Sequence, residues 1–225
     1  MRATSSEGTA LETAALEGSE AVVRLLLEHG AEPNACDANG WTPLHNAMFA
    51  STVSLGIVHA LVAARADVNA CTTSDRHTPL HLAHEADPKL DWKLVSGSDD
   101  AGRTAFYVPA IVQTIVAAGG DVGARSASGA TPLHEAAAAG ATSCVLALLH
   151  SGADPAARDD DGQTARDVAG SCWQGCAGET LERLREMLVP PPSASSTSTS
   201  SVATAVAHPR PWPCLLYTSP SPRDS

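Results

Sequence analysis

The tetrapeptide Thr-Pro-Leu-His occurs three times in this chain, and no other feature constrains its fold as strongly. The first two copies start 36 residues apart, and the last two start 53 residues apart. Weaker copies begin 33 residues before the first and 33 residues after the last. A fixed period of this length is typical of repeat proteins, in which each unit packs against its neighbours. The sequence therefore predicts five units, which begin near Thr9, Thr42, Thr78, Thr131 and Thr164.

Each unit reads as two helices followed by a turn. Threonine is a good N-cap, and proline suits the first helical position because its missing N–H needs no partner there. A short first helix such as 132–140 ends at a glycine, as does the apolar second helix at 143–152. The segment between the second helix and the next threonine is rich in Gly, Asp and Asn, which favour turns. We call this segment the finger.

This pattern resembles the ankyrin repeat, whose signature is Thr-Pro-Leu-His-x-Ala in a unit of 33 residues. The resemblance covers about residues 4–189 and includes Gly-Ala-Asp after the second helix at 152–154. It implies an all-α solenoid of helix–turn–helix units with β-turn or hairpin fingers. It also implies a structural role for the motif residues Thr42, Pro43, Leu44, His45, Thr78, Pro79, Leu80, His81, Thr131, Pro132, Leu133 and His134.

The unequal intervals predict insertions. The second unit is three residues too long, and the third carries about twenty extra residues near 86–107. Since loops accept added length at little cost, we expect a long loop between the two helices of the third unit. An alternative is a degenerate sixth unit, because Asp-Asp-Ala-Gly-Arg-Thr-Ala-Phe at 99–106 imitates a finger followed by threonine.

We expect the repeat domain to span residues 1–189. Residues 190–213 are rich in Pro, Ser and Thr, which predicts a disordered linker. Residues 214–224 match one reading frame of a transposase-type sequencing adapter. We therefore expect 214–225 to be an artefact and the natural C-terminus to lie elsewhere.

Composition narrows the partners and the compartment. The formal net charge of −11 argues against nucleic acid as a partner. No apolar stretch reaches the length of a membrane span, and the N-terminus lacks the apolar core of a secretory signal. The six cysteines are scattered, which fits a reducing intracellular setting, either cytoplasmic or nuclear. We expect a monomer that contacts no membrane.

Several compact catalytic signatures are absent from the sequence. The phosphate-binding Gly-Lys-Ser/Thr loop, the His-Glu-x-x-His zinc motif and the Gly-x-Ser-x-Gly elbow are all missing. We therefore expect neither catalysis nor a cofactor.

Three clusters have both a chemical and a structural interpretation. His77, His81 and His84 have the spacing of one helical face, which suits a metal, but His81 belongs to the motif, where the resemblance implies local hydrogen bonds. Cys172 and Cys176 lack further zinc ligands nearby, although a redox role stays open. The aspartate run of the fourth finger lacks the closing glutamate of a calcium loop. We favour the structural interpretation each time and expect no metal site.

Asn34 and Asn69 occupy the base of two fingers. Each follows a leucine by eight residues and an acidic residue by two, which resembles targets of the ankyrin asparaginyl hydroxylase. We favour a structural role in which each amide forms hydrogen bonds within its finger.

Terminal units of a solenoid need polar outer faces. Such faces are expected from Glu12, Thr13, Glu17 and Glu20 in the first unit, and from Glu179, Glu182, Arg183, Arg185 and Glu186 in the fifth.

The resemblance implies that finger tips and exposed first-helix positions line a concave, protein-binding surface. Trp41 and Phe49 are candidate anchors because aromatic residues dominate interface hot spots, unless Trp41 only packs over the adjacent finger. The predicted partner-binding residues are Asn39, Trp41, Phe49, Asp75, His77, Glu85, Asp160, Asp161 and Gln163. The acidic charge suits a partner with a basic surface.

Two functions follow from this interpretation. The first is a non-catalytic adaptor, scaffold or inhibitor that binds a protein partner. The alternative is an N-terminal targeting module of a longer enzyme or channel. A metal- or redox-linked sensor built on Cys172 and Cys176 is a weaker third hypothesis.

Overall fold

The structure is a computed structural model that describes residues 9–50, 53–86, 100–169 and 178–189. Within these residues the chain forms helices and turns. No strand occurs among these residues, and the fingers are turns with one isolated bridge, Arg158 to Thr164. The all-α repeat fold is confirmed. Its helices are α1 Ala10–Leu16, α2 Glu20–Glu28, α3 Pro43–Phe49, α4 Leu55–Ala63, a 3-10 helix His81–Ala86, α5 Asp100–Ala117, α6 Pro132–Ala138, α7 Thr142–His150 and α8 Gly178–Met187.

The helices form two layers with the core between them. The first helices (α1, α3, the 3-10 helix and α6) pack against one another, and the second helices (α2, α4, α5 and α7) do the same. The motif leucines Leu44, Leu80 and Leu133 supply one side of the core and are fully buried. Equivalent valines of the second helices supply the other side, namely Val23, Val58, Val112 and Val145.

The buried histidine of each motif ties one unit to the next. In the second unit, His45 Nδ1 accepts the backbone N–H of Thr42 at 3.2 Å. Its Nε2 therefore carries the ring proton and donates to the carbonyl of His77, 3.0 Å away in the finger before the next threonine. His81 and His134 repeat both bonds, with the carbonyls of Ala130 and Gln163 as acceptors. One imidazole thus caps its own helix and bonds to the following finger, as the resemblance implies.

The second helices share one C-terminal cap. After α2, the N–H of Ala31 reaches the carbonyl of Leu26 and that of Gly30 reaches Leu27, which is the Schellman pattern. The residue at the turn must adopt a positive φ, and three units use glycine there. The second unit uses Arg65 instead, with φ of 63°.

Helix α5 departs from the predicted loop at 86–107. It begins at Asp100 and has 18 residues, whereas α2, α4 and α7 have nine each. Counting back from the shared cap, Pro109 is the first residue of the ordinary nine-residue helix, a position that proline suits. The last part of the predicted loop is therefore an N-terminal extension of α5. Thr104 lies inside this helix rather than in front of one, as a sixth unit would require.

The side-chain amides of Asn34 and Asn69 form hydrogen bonds to the next unit and not within their own fingers, contrary to the prediction. Asn34 Nδ2 donates to the carbonyl of Arg65, and its Oδ1 accepts the N–H of Asp67 at 2.6 Å. Asn69 makes the same pair of bonds to Gly119 and Asp121, both at 2.9 Å. The third and fourth units have Gly123 and Ala156 at this position and cannot form such a link.

The first unit is only partly the polar cap that the sequence predicts, because Thr13 and Glu17 are exposed and Glu20 is half-buried, but Glu12 is buried. Glu12 takes the place of the motif histidine, is only 3% exposed and shares a capping pair of hydrogen bonds with Thr9. Burial raises the pKa of its carboxyl. Val22 is 44% exposed, although its equivalents Ile57 and Ile111 in later units are fully buried by the preceding unit.

The last described unit also departs from the pattern. Thr164 starts a turn, and Asp167 Oδ2 accepts both its N–H and its hydroxyl in place of the histidine ring. Helix α8 completes the unit by burying Leu184 and Leu188 while Glu182, Arg183 and Glu186 stay exposed. The cysteine pair 172 and 176, the side chain of Glu179, the predicted linker at 190–213 and the adapter-like segment at 214–225 lie outside what the structure describes.

Replacing Arg65 by glycine is expected to stabilise the protein. A side chain at positive φ costs roughly 1–2 kcal/mol, which glycine avoids. Glycine also loses more backbone entropy on folding, and this offsets part of the gain in stability. We expect Arg65→Gly to raise the free energy of unfolding by about 0.5–1 kcal/mol in urea titrations. Arg65→Ala is the control because it removes the guanidinium but keeps Cβ, and an equal gain in both variants would contradict the argument.

Placing asparagine at Gly123 is expected to add the missing link between the third and fourth units. The backbone there does not require glycine, because φ is not in the left-handed region. The new amide would donate to the carbonyl of Gly152 and accept the N–H of Asp154. We expect Gly123→Asn to exceed Gly123→Ala in stability by about 1 kcal/mol. Equal unfolding midpoints for the two variants would show that the link does not form.

Candidate functional site

The first helices and the finger tips form one continuous surface, which we call the finger–helix face. The motif residues do not belong to it, because Thr42, Leu44 and His45 and their equivalents in the next two motifs are buried. The residues available for binding are therefore those just before each motif threonine, those on the exposed side of the first helix, and the tips of the fingers.

Adjacent fingers contact each other directly. The backbone N–H of Thr73 donates to the carbonyl of Asn39 at 2.8 Å, and Ala127 donates to Asp75 at 2.7 Å. Asp160 likewise donates to Ser128 at 3.1 Å. These bonds place the finger tips of four units in one row, although the residues at the tips are far apart in sequence.

The predicted partner-binding residues lie along this face with different exposures. Asn39, Phe49, Asp75, Asp160, Asp161 and Gln163 are exposed, whereas Trp41, His77 and Glu85 are half-buried. Trp41 and His77 hold the same position in successive units, directly before the motif threonine. Phe49 and Glu85 also match, since each lies seven residues after that threonine.

Trp41 and Phe49 form one aromatic pair. Their rings meet edge to face with centroids 5.7 Å apart, and the His45 ring lies 6.0 Å from Trp41 on the other side. Trp41 also packs against the hydrophobic core, so its ring is partly structural. Phe49 is 53% exposed and makes the outer end of the pair. The two aromatics therefore present an apolar platform with a rigid inner edge.

Leu16 is a residue of this face that the sequence interpretation missed. It lies seven residues after Thr9, the position that Phe49 holds in the second unit, and it is 42% exposed. Its helix α1 packs against α3, which places the two positions in neighbouring units. The repeat register contains this signal, although the first unit lacks the full Thr-Pro-Leu-His motif.

Beyond the aromatic pair, carboxylates dominate the face. Glu135 was also missed by sequence reasoning, and its Oε1 lies 3.7 Å from His77 Nε2. Glu85 Oε1 lies 3.3 Å from His84 Nε2. Asp160 and Asp161 extend from the fourth finger, whose turn is held by Asp159 Oδ1 accepting the N–H of Gln163.

His77, His81 and His84, whose spacing suits a metal, have separate roles in the structure. His81 is buried in the unit interface, and His77 stacks on it with ring centroids 5.4 Å apart. His84 Nδ1 bonds to the carbonyl of His81 at 2.8 Å. Within the described parts of the chain, no three His, Cys, Asp or Glu side chains are grouped to hold a metal ion.

None of the helices in the described ranges combines the length and apolar character that a membrane crossing requires. This finding concerns the helices alone.

Comparison with known proteins agrees with the geometry. A family model of ankyrin repeats in many copies matches residues 11–57, and a model of the single ankyrin repeat matches residues 128–160. Nuclear factor NF-kappa-B p105 subunit of Gallus gallus is 31% identical over 150 residues, which are 64% of this chain and 13% of that protein.

Two further relatives are enzymes by name. E3 ubiquitin-protein ligase KEG of Arabidopsis thaliana is 28% identical over 237 aligned residues, covering 79% of this chain and 14% of the ligase. Palmitoyltransferase AKR1 of Lachancea kluyveri is 29% identical over 167 residues, covering 72% of this chain and 19% of the transferase. The chain thus spans less than a fifth of the length of each of these three relatives.

Stacked two-helix units define a helical repeat protein. Buried motif histidines and a row of fingers join the units. The chain contains ankyrin repeats at the residues that the two models match. Repeats of this family mediate interactions between proteins.

The buried histidines make the stack sensitive to acid. Burial lowers the pKa of His81 to about 4, and that of His45 in the same direction, whereas an unfolded histidine titrates near 6.5. Between these values the unfolded chain binds protons that the folded chain does not. The stability contributed by His81 is therefore complete above pH 6.5 and is lost as the pH falls towards 4.

We expect this loss to reach about 2 kcal/mol by pH 5 for His81 alone. Urea unfolding of the wild type and His81→Gln at pH 7.5 and pH 5.0 measures it. Carboxylates titrate in both proteins, so they cancel in the comparison. The variant should be less stable at pH 7.5, and the difference should shrink at pH 5.0. An equal difference at the two pH values would contradict the assignment.

Proposed function

We propose that this chain is a non-catalytic binding module, an adaptor, scaffold or inhibitor, which holds a protein partner on its finger–helix face. The observation that supports this most is the exposed Phe49 ring resting edge to face on the half-buried Trp41. An aromatic side chain that is already ordered loses little conformational entropy on binding, and aromatic residues are enriched among hot spots.

The charge of the face suits a basic partner. Complementary charge speeds encounter and selects against wrong partners, while the apolar anchor supplies most of the affinity. The same acidic balance disfavours nucleic acid and anionic membrane surfaces. We propose that the module acts as a monomer inside the cell, in the cytoplasm or the nucleus.

A second candidate is a targeting module of a longer enzyme or channel. The observation that favours it is the small share of each relative that the chain covers, with a ligase and a palmitoyltransferase among those relatives. Sequencing full-length transcripts separates the two. An open reading frame that continues into a catalytic or membrane domain would replace the adaptor with the targeting module.

Phe49→Ala is the main test of the proposed site. A partner captured from the source cells and then purified should bind the variant with about 2 kcal/mol less free energy, measured by calorimetry. Phe49 is exposed, so the free energy of unfolding should hardly change. Trp41→Ala should weaken binding too, but it also lowers stability because Trp41 packs on the core.

Leu146→Ala is the matched control. Leu146 is an exposed apolar residue, 39% accessible, on helix α7 of the other layer. Its replacement should leave the partner affinity unchanged. Equal affinity in Phe49→Ala and the wild type, with helicity intact, would move the binding site off the finger–helix face.

A further inference from the structure

The finger–helix face is divided into two halves of different chemistry. The apolar half consists of Leu16, Trp41 and Phe49, from the first two units and the finger between them. The acidic half consists of Asp75, Glu85, Glu135, Asp160 and Asp161, from the second finger to the fourth. The division follows the order of the repeats, so it runs along the length of the stack.

Little charge is available in the apolar half. Its finger carries two carboxylates, Glu32 near the base and Asp37. Asp37 Oδ1 accepts the backbone N–H groups of Asn39 and Trp41, both at 2.8 Å. The Asp37 carboxylate therefore stabilises the turn of its own finger. Glu17 lies at the C-cap of α1 next to Leu16, at the end of the stack and not between the two halves.

Arginines of the acidic half do not cancel its charge on this face. Arg76 lines a groove between the second and third fingers together with Asn69, Cys71 and Asp121. Arg125 donates to the carbonyls of Gly129 and Arg158, and Arg158 donates to that of Gly162. Arg125 and Arg158 are thereby held along the fingers, and Arg76 is exposed. Three guanidinium groups therefore stand against the five carboxylates of this half, of which Asp160 and Asp161 extend from an exposed tip.

We propose that the partner contacts this face with a single linear segment that carries one large apolar anchor and a separate cluster of lysine or arginine. The anchor sits on the apolar half, and the cluster lies across the acidic half. This inference rests on the proposed function and deepens it, because it assigns the chemistry of the partner and its direction along the stack. Leu16, Trp41 and Phe49 surround the anchor, and the carboxylates pair with the cluster.

The geometry also sets the spacing between the two parts. Packed helices lie about 8–10 Å apart, so two steps, from α3 across the 3-10 helix to α6, span roughly 16–20 Å. An extended chain covers that distance in about five or six residues at ~3.3 Å each. A helical segment would need roughly 11–13 residues at ~1.5 Å each.

Selection of a random library of 16-residue displayed peptides on the full chain tests the proposal. Enriched peptides should share one aromatic or large aliphatic residue and at least two Lys or Arg residues at one of the two spacings. Two variants then test the two halves separately. The apolar-half variant combines Leu16→Ser and Phe49→Ser. The acidic-half variant combines Glu135→Gln, Asp160→Asn and Asp161→Asn. Circular dichroism checks that both remain helical.

A synthetic peptide from the selection should lose about tenfold or more in affinity for each variant. Binding to the apolar-half variant should keep its dependence on salt, and binding to the acidic-half variant should lose most of it, because exposed charges are screened. Changing the spacer by four residues should weaken binding to the wild type but not to either variant.

Several results would overturn the proposal. Enriched peptides that lack either part, that are acidic, or that tolerate any spacer would do so. So would a selection that enriches nothing, because a linear segment of this chemistry would then not bind. If the selection enriches nothing but a purified partner loses affinity for Phe49→Ala, the proposed function stands and the partner binds through a folded surface. If the selection enriches nothing and the purified partner also binds Phe49→Ala as tightly as the wild type, the finger–helix face is not the binding site.

Discussion

One buried imidazole per unit holds this stack together. The ring of His45, and those of His81 and His134, accepts a backbone N–H at the start of its own helix and donates to a carbonyl of the following finger. Both bonds require the neutral ring with its proton on Nε2. Burial of the His45 and His81 rings favours that neutral form, and the bonds fix the position of each finger relative to the helix before it. The finger row and the exposed face depend on this arrangement.

The motif residues are buried between the helices and do not reach the finger–helix face. The residues on that face can therefore differ from one unit to the next. The imidazole link uses only the backbone carbonyl of the residue directly before the next motif threonine. The side chain at that position, and the side chain seven residues after the threonine, take no part in the link. These two positions carry Trp41 and Phe49 in one unit and His77 and Glu85 in the next. A scaffold with constant buried contacts can therefore present an apolar surface at one end and carboxylates towards the other without a change of fold.

Departures from the register show where the stack is weakest. Glu12 replaces the histidine in the first unit, and its carboxyl is buried with a raised pKa. Asparagine side chains link the first unit to the second and the second to the third. The third unit has Gly123 at the equivalent position and makes no such link to the fourth. The N-terminal face of the first unit leaves Val22 exposed. The second and third units combine both kinds of link, so they form the best-connected part of the described chain.

The sequence alone determined the two-helix unit, its helix starts and the buried motif, because these depend on local capping and on a repeated pattern. It also marked Trp41 and Phe49 as a candidate pair. Only the tertiary structure decided that Asn34 and Asn69 bond to the next unit, that Glu12 is buried, and that Leu16 and Glu135 join the face. Those outcomes depend on which neighbour covers a position, and the spacing of residues within one unit does not contain that information. The extension of α5 was not predicted either, because the finger-like residues at 99–106 favoured a loop or a new unit, whereas the structure starts the helix at Asp100.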